Sequence, residues 1–177
     1  YADYTKVDEQ LVRNYGSYGR VDVVGLKAGN YSLKVVAVGA DGKEMAAHGI
    51  ADNLKVVNYD RQGFAHKGVR DGVGAYNNDG TLKAGAKVLY VTKNTFKTIK
   101  ASLNDGKKDV EYTGIGDILL AKQKGTDSIP IAVRIIGEIK TADAGDQLKT
   151  DQKGLLLKRN SEATKMNVTI EGIGDDA

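Results

Sequence analysis

Over Tyr31–Val38 the side chains alternate, with Tyr31, Leu33, Val35 and Ala37 interleaved by Ser32, Lys34, Val36 and Val38. A period of two sends the two sets to opposite sides of an extended chain, which predicts a strand with one face more buried. Turn residues close it at both ends, Lys27-Ala28-Gly29-Asn30 before it and Asp41-Gly42 after it. Glycine and asparagine tolerate the left-handed backbone that such turns require. The same punctuation runs through the whole chain, which holds 22 glycines in 177 residues but one proline. So much glycine, with 9 Tyr against 2 Phe, favours many tight turns between strands over a helix bundle.

Around this stretch, Val21-Asp22-Val23-Val24 and Leu54-Lys55-Val56-Val57-Asn58-Tyr59 also read as strands. Strands at this spacing predict a β-sandwich over residues 1–60. Two or three strands are few for a stable sandwich, so its first strands are expected to be missing. Tyr1 is not a natural start, and the segment is expected to be cut from something longer.

Residues 61–87 are rich in Gly, Asn and Asp, with Asn77-Asn78-Asp79-Gly80 as a strong turn signal, and read as a linker between two units. Val88–Thr92 and Thr95–Leu103 are strand-like, and Asn104-Asp105-Gly106 turns the chain. Ile115, Ile118, Leu119 and Lys122 fall at helical spacing, with Thr113 as the expected N-cap and Gly125 as the C-terminal stop. After Pro130 the apolar run Ile131–Ile139, then Leu155-Leu156-Leu157 and Asn167-Val168-Thr169-Ile170, return to strand. Apolar strands joined by long connections rather than hairpins predict parallel pairing. Short parallel strands without intervening helices suit a β-helix or solenoid.

Composition excludes several chemistries. There is no cysteine, hence no disulfide, thiolate catalysis or cysteine-based zinc site. Net charge is only +3, small for a nucleic-acid binder. Residues 61–129 carry 12 basic and 7 acidic side chains, a net of +5, whereas both flanks are at −1. Such a middle either faces an acidic polymer or is a solvated lysine surface. No stretch approaches the roughly 18 apolar residues of a membrane span, and no signal-peptide pattern opens the chain.

Most catalytic signatures are missing, among them the phosphate loop G-x-x-x-x-G-K-[ST], the nucleophile elbow G-x-S-x-G and the zinc motif H-E-x-x-H. Gly72-Val73-Gly74 lacks the third glycine of a dinucleotide fingerprint, and Asp71 and Asp79 lack calcium-loop spacing and a closing Glu. Both segments read as turns. His48 and His66 have no recognisable Ser or Asp partner and read as surface or packed histidines. Asp175-Asp176 could serve a cation but read as part of a turn. Asn30-Tyr31-Ser32 and Asn167-Val168-Thr169 match the glycosylation tripeptide, a pattern common by chance.

Three longer strings carry more specific information. Val21-Asp22-Val23-Val24-Gly25-Leu26-Lys27-Ala28-Gly29-Asn30-Tyr31 resembles the closing strands of the fibronectin-III-like module that precedes some bacterial pectate lyases. Gly72-Val73-Gly74-Ala75-Tyr76-Asn77-Asn78-Asp79-Gly80-Thr81-Leu82-Lys83, leading to Val88-Leu89-Tyr90-Val91-Thr92, is similar to the segment joining that module to the lyase. Asn167-Val168-Thr169-Ile170-Glu171-Gly172-Ile173-Gly174-Asp175-Asp176-Ala177 resembles the strand and turn opening the pectate lyase β-helix, and Pro130–Gly137 the strand before it. The strings follow the family's order and together span most of the chain.

The resemblance implies a mainly β protein in three parts. Residues 1–60 would be a fibronectin-III/Ig-like β-sandwich, 61–87 a connecting segment, and 88–177 the N-terminal cap and first turn of a right-handed parallel β-helix. It further implies a secreted or cell-surface bacterial enzyme, monomeric, that degrades pectate (polygalacturonate) by β-elimination. In that family calcium bridges substrate carboxylates to acidic side chains while an arginine takes the proton next to the uronate carboxyl. A cation neutralising that carboxylate acidifies the α-carbon, so the chemistry is physically coherent.

The carry-over of site residues stops there. Arg61, Arg70, Arg134 and Arg159 are available, but none stands in a catalytic motif, and the family's tryptophan-containing motifs have no counterpart in a chain with no Trp. No catalytic, calcium-binding or cofactor residue is therefore assigned, and the segment alone is expected to be inactive. The competing reading is a non-catalytic polysaccharide-binding or structural module, in which Tyr76 and Tyr90 serve sugar stacking and the basic middle uronate pairing, features equally explained by core tyrosines and a soluble surface. A β-helix needs about three stacked turns to bury its core. Residues 130–177 alone are therefore expected to be less protected in hydrogen exchange than Tyr31–Val38.

Overall fold

The computed structural model describes residues 3–58, 72–148, 157 and 166–177. These are mainly β, arranged in four small sheets, none of them closed. A 3-10 turn at Glu9–Leu11 leads into a short antiparallel pair, β1 (Val12–Asn14) and β2 (Gly19–Val21). A long antiparallel hairpin follows, β3 (Gly29–Val38) with β4 (Glu44–Val56). The third sheet is parallel and runs β5 (Lys87–Val91), β8 (Ile131–Ile136), β9 (Val168–Ile173), with β8 in the centre. Between β5 and β8 lie the antiparallel pair β6 (Lys100–Asn104) and β7 (Asp109–Thr113), then helix α1 (Ile115–Gln123). A short helix α2 (Thr141–Ala144) follows β8.

The parallel sheet organises the core because it is covered on both faces. Leu89 and Val91 of β5 and Ile131 and Val133 of β8 pack with Ala101 and Leu103 of β6 and with Ile115, Ile118 and Leu119 of α1. On the other face Ala132 meets Ala75 and Tyr76. Farther along that face, Ile136 and Ile173 meet Leu11, with Val7, Val21 and Val24 packed around them. A strand buried on both sides has no solvent face to hold polar residues. This explains why Ile131–Ile136 is nearly all apolar, and why its one charged residue, Arg134, is itself buried.

The parallel pairing expected after Pro130 is present between β8 and β9, in register from Ile131↔Val168. In addition β5 pairs with β8 in parallel, from Lys87↔Ile131, and helices α1 and α2 lie in the two connections, of which only α1 was expected. The expected helix is present as well, with Gly125 at φ 75 just beyond it. Its N-cap differs. Thr113 is the last residue of β7, and Gly114, with φ 85 and no side chain, holds the cap position. The Gln147 side-chain oxygen instead accepts from the amides of Gly116 at 3.0 Å and Asp117 at 3.4 Å.

Thr95–Leu103 is not one strand. The Ile99 and Phe96 amides turn back onto the Thr95 and Thr92 carbonyls at 2.9 Å each, and the strand begins at Lys100. In Val21–Val24 only Val21 is in a strand, and the Leu54–Tyr59 stretch is replaced by β4, which ends at Val56. Tyr59, Leu155 and Leu156 lie outside the described residues, and Leu157 belongs to no element.

The β3 alternation also has a different outcome. Tyr31 and Leu33 are half-buried, but so are Lys34 and Val36, while Val35 is exposed. The β3–β4 register shifts twice, and a two-stranded ribbon without a covering layer buries neither face. Among the described residues no helix is long and apolar enough to cross a membrane.

Candidate functional site

Arg134 sits at the centre of a buried polar cluster. Its strand position beneath Tyr76 and Tyr90 brings three partners within reach. Nε donates to Glu171 of β9 at 3.0 Å, Nη1 to the Tyr90 hydroxyl at 3.1 Å and Nη2 to the Tyr76 hydroxyl at 3.0 Å. The Tyr76 hydroxyl donates in turn to Glu171. Arg134 is 3% and Tyr76 2% exposed. Burial alone would lower the Arg134 pKa, but the hydrogen bonds to Tyr76 and Glu171 outweigh it, and the guanidinium is held above its ordinary value. Burial, reinforced by Glu171, pushes the Tyr76 phenol up to about 12.

A guanidinium held in this way cannot serve as a proton acceptor. The cluster is a clasp that fastens the Gly72–Lys83 segment onto the sheet. The backbone completes the fastening where the Ala75 amide donates to Thr169 Oγ1 at 3.0 Å. Gly74, at φ 59, lies against that same Thr169, so a Cβ there would overlap the hydroxyl. The Gly72-Val73-Gly74 motif thus has a packing role.

A second cluster joins β1 and β2 to the end of the chain. Arg13 pairs with Asp22 and Asp176 and donates to the Ile173 carbonyl at 3.1 Å. Arg20 pairs with Asp175, and with Asp22 at 3.0 Å. The Tyr15 hydroxyl donates to Asp176. That bond and the guanidinium of Arg13 hold the Asp176 carboxyl below its usual range, as Arg20 does for Asp175. These aspartates are engaged by cations of the chain itself, which does not fit a calcium site. Among the described residues no group of three or more His, Cys, Asp or Glu is placed to hold a metal ion.

A cleft of about 600 Å³ opens between the Glu9–Leu11 turn and strands β5 and β6. Val88, Leu89, Tyr90 and Ile99 contribute its apolar lining, and Asp8, Gln10, Thr95, Thr98 and Lys100 its polar lining. Two of the charges are already used. Asp8 accepts from the Gln10 amide at 2.9 Å, and Lys100 pairs with Glu111 at 2.7 Å.

The remaining sequence candidates are dispersed. His48 is exposed on β4 with Nδ1 2.9 Å from the Ala46 carbonyl. Asp79 accepts from the Thr81 amide at 3.1 Å, a turn interaction. Asn30 is exposed on β3, and the Asn167 amide group donates to the Ser128 carbonyl at 3.0 Å. His66, Asp71, Arg61, Arg70 and Arg159 lie outside the described residues.

For Tyr76 and Tyr90 the packed alternative is the one observed. Tyr76 is buried and Tyr90 half-buried against Arg134, because the segment that carries Tyr76 covers the sheet face at Ala132 and Arg134. The exposed ones among the described residues are Tyr4, Tyr15 and Tyr18, and the rings of the last two stack with centroids 5.1 Å apart and planes 19° from parallel. A signal exists for them in the string Tyr15-Gly16-Ser17-Tyr18, two aromatics flanking a Gly-Ser turn. No family model, curated protein or solved structure matches the chain.

Proposed function

We propose that these residues are an N-terminal portion of a secreted bacterial pectate lyase, a protein that cleaves de-esterified homogalacturonan by calcium-dependent β-elimination. On this reading residues 1–60 are the fibronectin-III-like sandwich, 61–87 the connecting segment and 88–177 the start of the right-handed β-helix. Pro130–Gly137 and Asn167–Ala177, the two strings that resemble the lyase's opening, contain β8 and β9. The observation that carries the reading is that these strands are parallel neighbours in register, from Ile131↔Val168 to Ile136↔Ile173. Parallel strands joined by a long excursion rather than a hairpin are what a β-helix requires at its start.

No catalytic role is assigned to a described residue. Arg134 is committed to Glu171, Tyr76 and Tyr90, and the described carboxylates offer calcium no fit. The test is to incubate this chain, and the longer reading frame that contains it, with polygalacturonate and calcium while following the ultraviolet absorbance of the unsaturated product. The expected result is activity in the longer protein and none in the chain. An inactive longer protein would overturn the lyase reading, and activity in the chain would overturn the absence of catalytic residues.

A further inference from the structure

The β1–β2 hairpin turns through Tyr15-Gly16-Ser17-Tyr18. The Tyr15 amide donates to the Tyr18 carbonyl at 2.9 Å, and the Gly16 amide, with φ 81 at that residue, donates to Asn14 Oδ1 at 2.9 Å. Register pairs Arg13 with Arg20 and Asn14 with Gly19. Because successive side chains alternate in side, Arg13, Tyr15, Tyr18 and Arg20 share one face of this ribbon. The Tyr15 ring is pinned by its bond to Asp176 and by the stack with Tyr18, yet Tyr15 remains 40% and Tyr18 59% exposed. The hairpin's position does not depend on the stack. Leu11 and Val21 belong to the core, and Arg13 reaches Ile173 and Asp176. A preordered pair of large rings on the surface is therefore available to a ligand at little entropic cost.

Beside the rings stands a specific polar pattern. Arg20, with its side chain 33% exposed, pairs with Asp175, whose side chain is 82% exposed. Donor and acceptor groups thus lie side by side. Across the cluster three carboxylates (Asp22, Asp175, Asp176) face two guanidiniums (Arg13, Arg20), a net charge of −1. That balance disfavours an anionic ligand, while most of the acidity is already neutralised, which weakens the attraction for a polycation. A pyranose ring matches what remains. Its C–H face lies on an aromatic ring, and each of its hydroxyls both donates and accepts.

We infer that the Tyr15–Tyr18 hairpin is a binding site for a neutral pyranose oligosaccharide, with a sugar ring on Tyr18 and its hydroxyls on the Arg20–Asp175 pair. This does not rest on the lyase reading, whose substrate is a polyanion. The experiment is an NMR titration of the chain, following the tyrosine ring signals. The probes are xylotetraose, cellotetraose and β-1,4-galactotetraose, with tetragalacturonate and tetralysine alongside.

At least one neutral tetrasaccharide is expected to shift the Tyr15 and Tyr18 signals more strongly than tetragalacturonate does. Tyr18→Ala should weaken that binding roughly five- to tenfold, with an unchanged melting temperature, and Tyr18→Phe by less than about twofold. Absence of a response to all three neutral sugars, or equal binding by Tyr18→Ala, would overturn the site. A response to tetralysine alone would identify it instead as a cation–π surface for basic peptides.

Discussion

Lys122 Nζ lies 3.0 Å from Asp127 Oδ1, and both side chains are closed off from water. The ammonium also donates to the Asp127 and Ile129 carbonyls at 2.7 Å each. Asp127 in turn accepts from the Ile129 amide at 2.9 Å and the Asn104 amide at 2.8 Å. The pair therefore fastens the chain leaving α1 to the end of β6, with all three ammonium hydrogens used.

Breaking a buried pair costs about 3–5 kcal/mol because the remaining charge is stranded. The two partners are not equivalent. In Lys122→Met, Asp127 keeps two backbone donors and two carbonyls lose one, whereas in Asp127→Ala the ammonium keeps two carbonyls but two amides lose their acceptor, which is the costlier loss. Asp127→Ala should therefore be the more destabilising, near the top of that range, in urea denaturation. Burial by itself would raise the Asp127 pKa, but the Asn104 amide and Lys122 bring it below the ordinary 3.8. The stability it contributes is complete above that value and drains away as pH falls below it. Asp127→Asn should flatten the acid limb of the stability curve. Equal cost for the two truncations would contradict this account.

At the Arg134 clasp the prediction concerns alkaline pH. Tyr76 is pushed up to about 12 by burial and by Glu171, so it should be the last tyrosine seen in a spectrophotometric titration of the folded chain. With the folded value above the unfolded 10.0, the native state holds the extra proton, and its stabilisation is lost as pH rises from about 10 towards 12. Tyr76→Phe should delete that late step and cost about 1–3 kcal/mol at neutral pH, because Arg134 Nη2 and Glu171 each lose a buried partner. A late step that survives in Tyr76→Phe would refute the assignment.

What is legible in the sequence follows from how local the cause is. The parallel sheet and α1 are readable because a doubly covered strand must be apolar throughout and because Ile115, Ile118, Leu119 and Lys122, all buried, fall at helical spacing. The Gly114 N-cap is not readable from Thr113, because its hydrogen-bond acceptor, Gln147, comes from a segment about 30 residues on. Nor is β7, whose alternation Asp109–Thr113 acquires meaning only opposite β6. The clasp is invisible for the same reason, since Tyr76, Tyr90, Arg134 and Glu171 meet only through the sheet register. Tyr15 and Tyr18 needed nothing beyond their own turn, and attention to large aromatics flanking a glycine would have found them.

In the intact chain, hydrogen-exchange protection should favour β8 over β3. β8 is central, paired on both edges and buried on both faces. Among the described residues β3 pairs only with β4, which is exposed along nearly its whole length. Exchange tracks local opening, which is cheapest where few apolar contacts hold the backbone. Amides of Ile131–Ile136 should therefore exchange at least about a hundredfold more slowly than those of Tyr31–Val38 in the intact chain, a gap of about 2.7 kcal/mol. Comparable rates would mean that the ribbon is covered in solution.

Gly116 supplies a test in which the usual sign is inverted. In an exposed helix Gly→Ala stabilises by about 1 kcal/mol through the unfolded chain's lost freedom. Gly116 is in the first turn of α1, but a Cβ there would overlap the Gln147 carbonyl oxygen, a backbone atom with little freedom to retreat. Gly116→Ala should therefore destabilise the fold, by about 1–3 kcal/mol on the scale of overpacking. Gln147→Ala should cost about 1 kcal/mol by uncapping the helix. Since the obstruction is the backbone of residue 147 and not its side chain, the double variant should not recover the Gly116→Ala loss. At Gly114 the obstruction is the Gln147 side chain, so there Gln147→Ala should relieve the clash and leave only the strain of φ 85. Thermal melts of the two single-glycine variants, with and without Gln147→Ala, separate the cases, and rescue of Gly116→Ala would show that residue 147 does not approach α1 through its backbone.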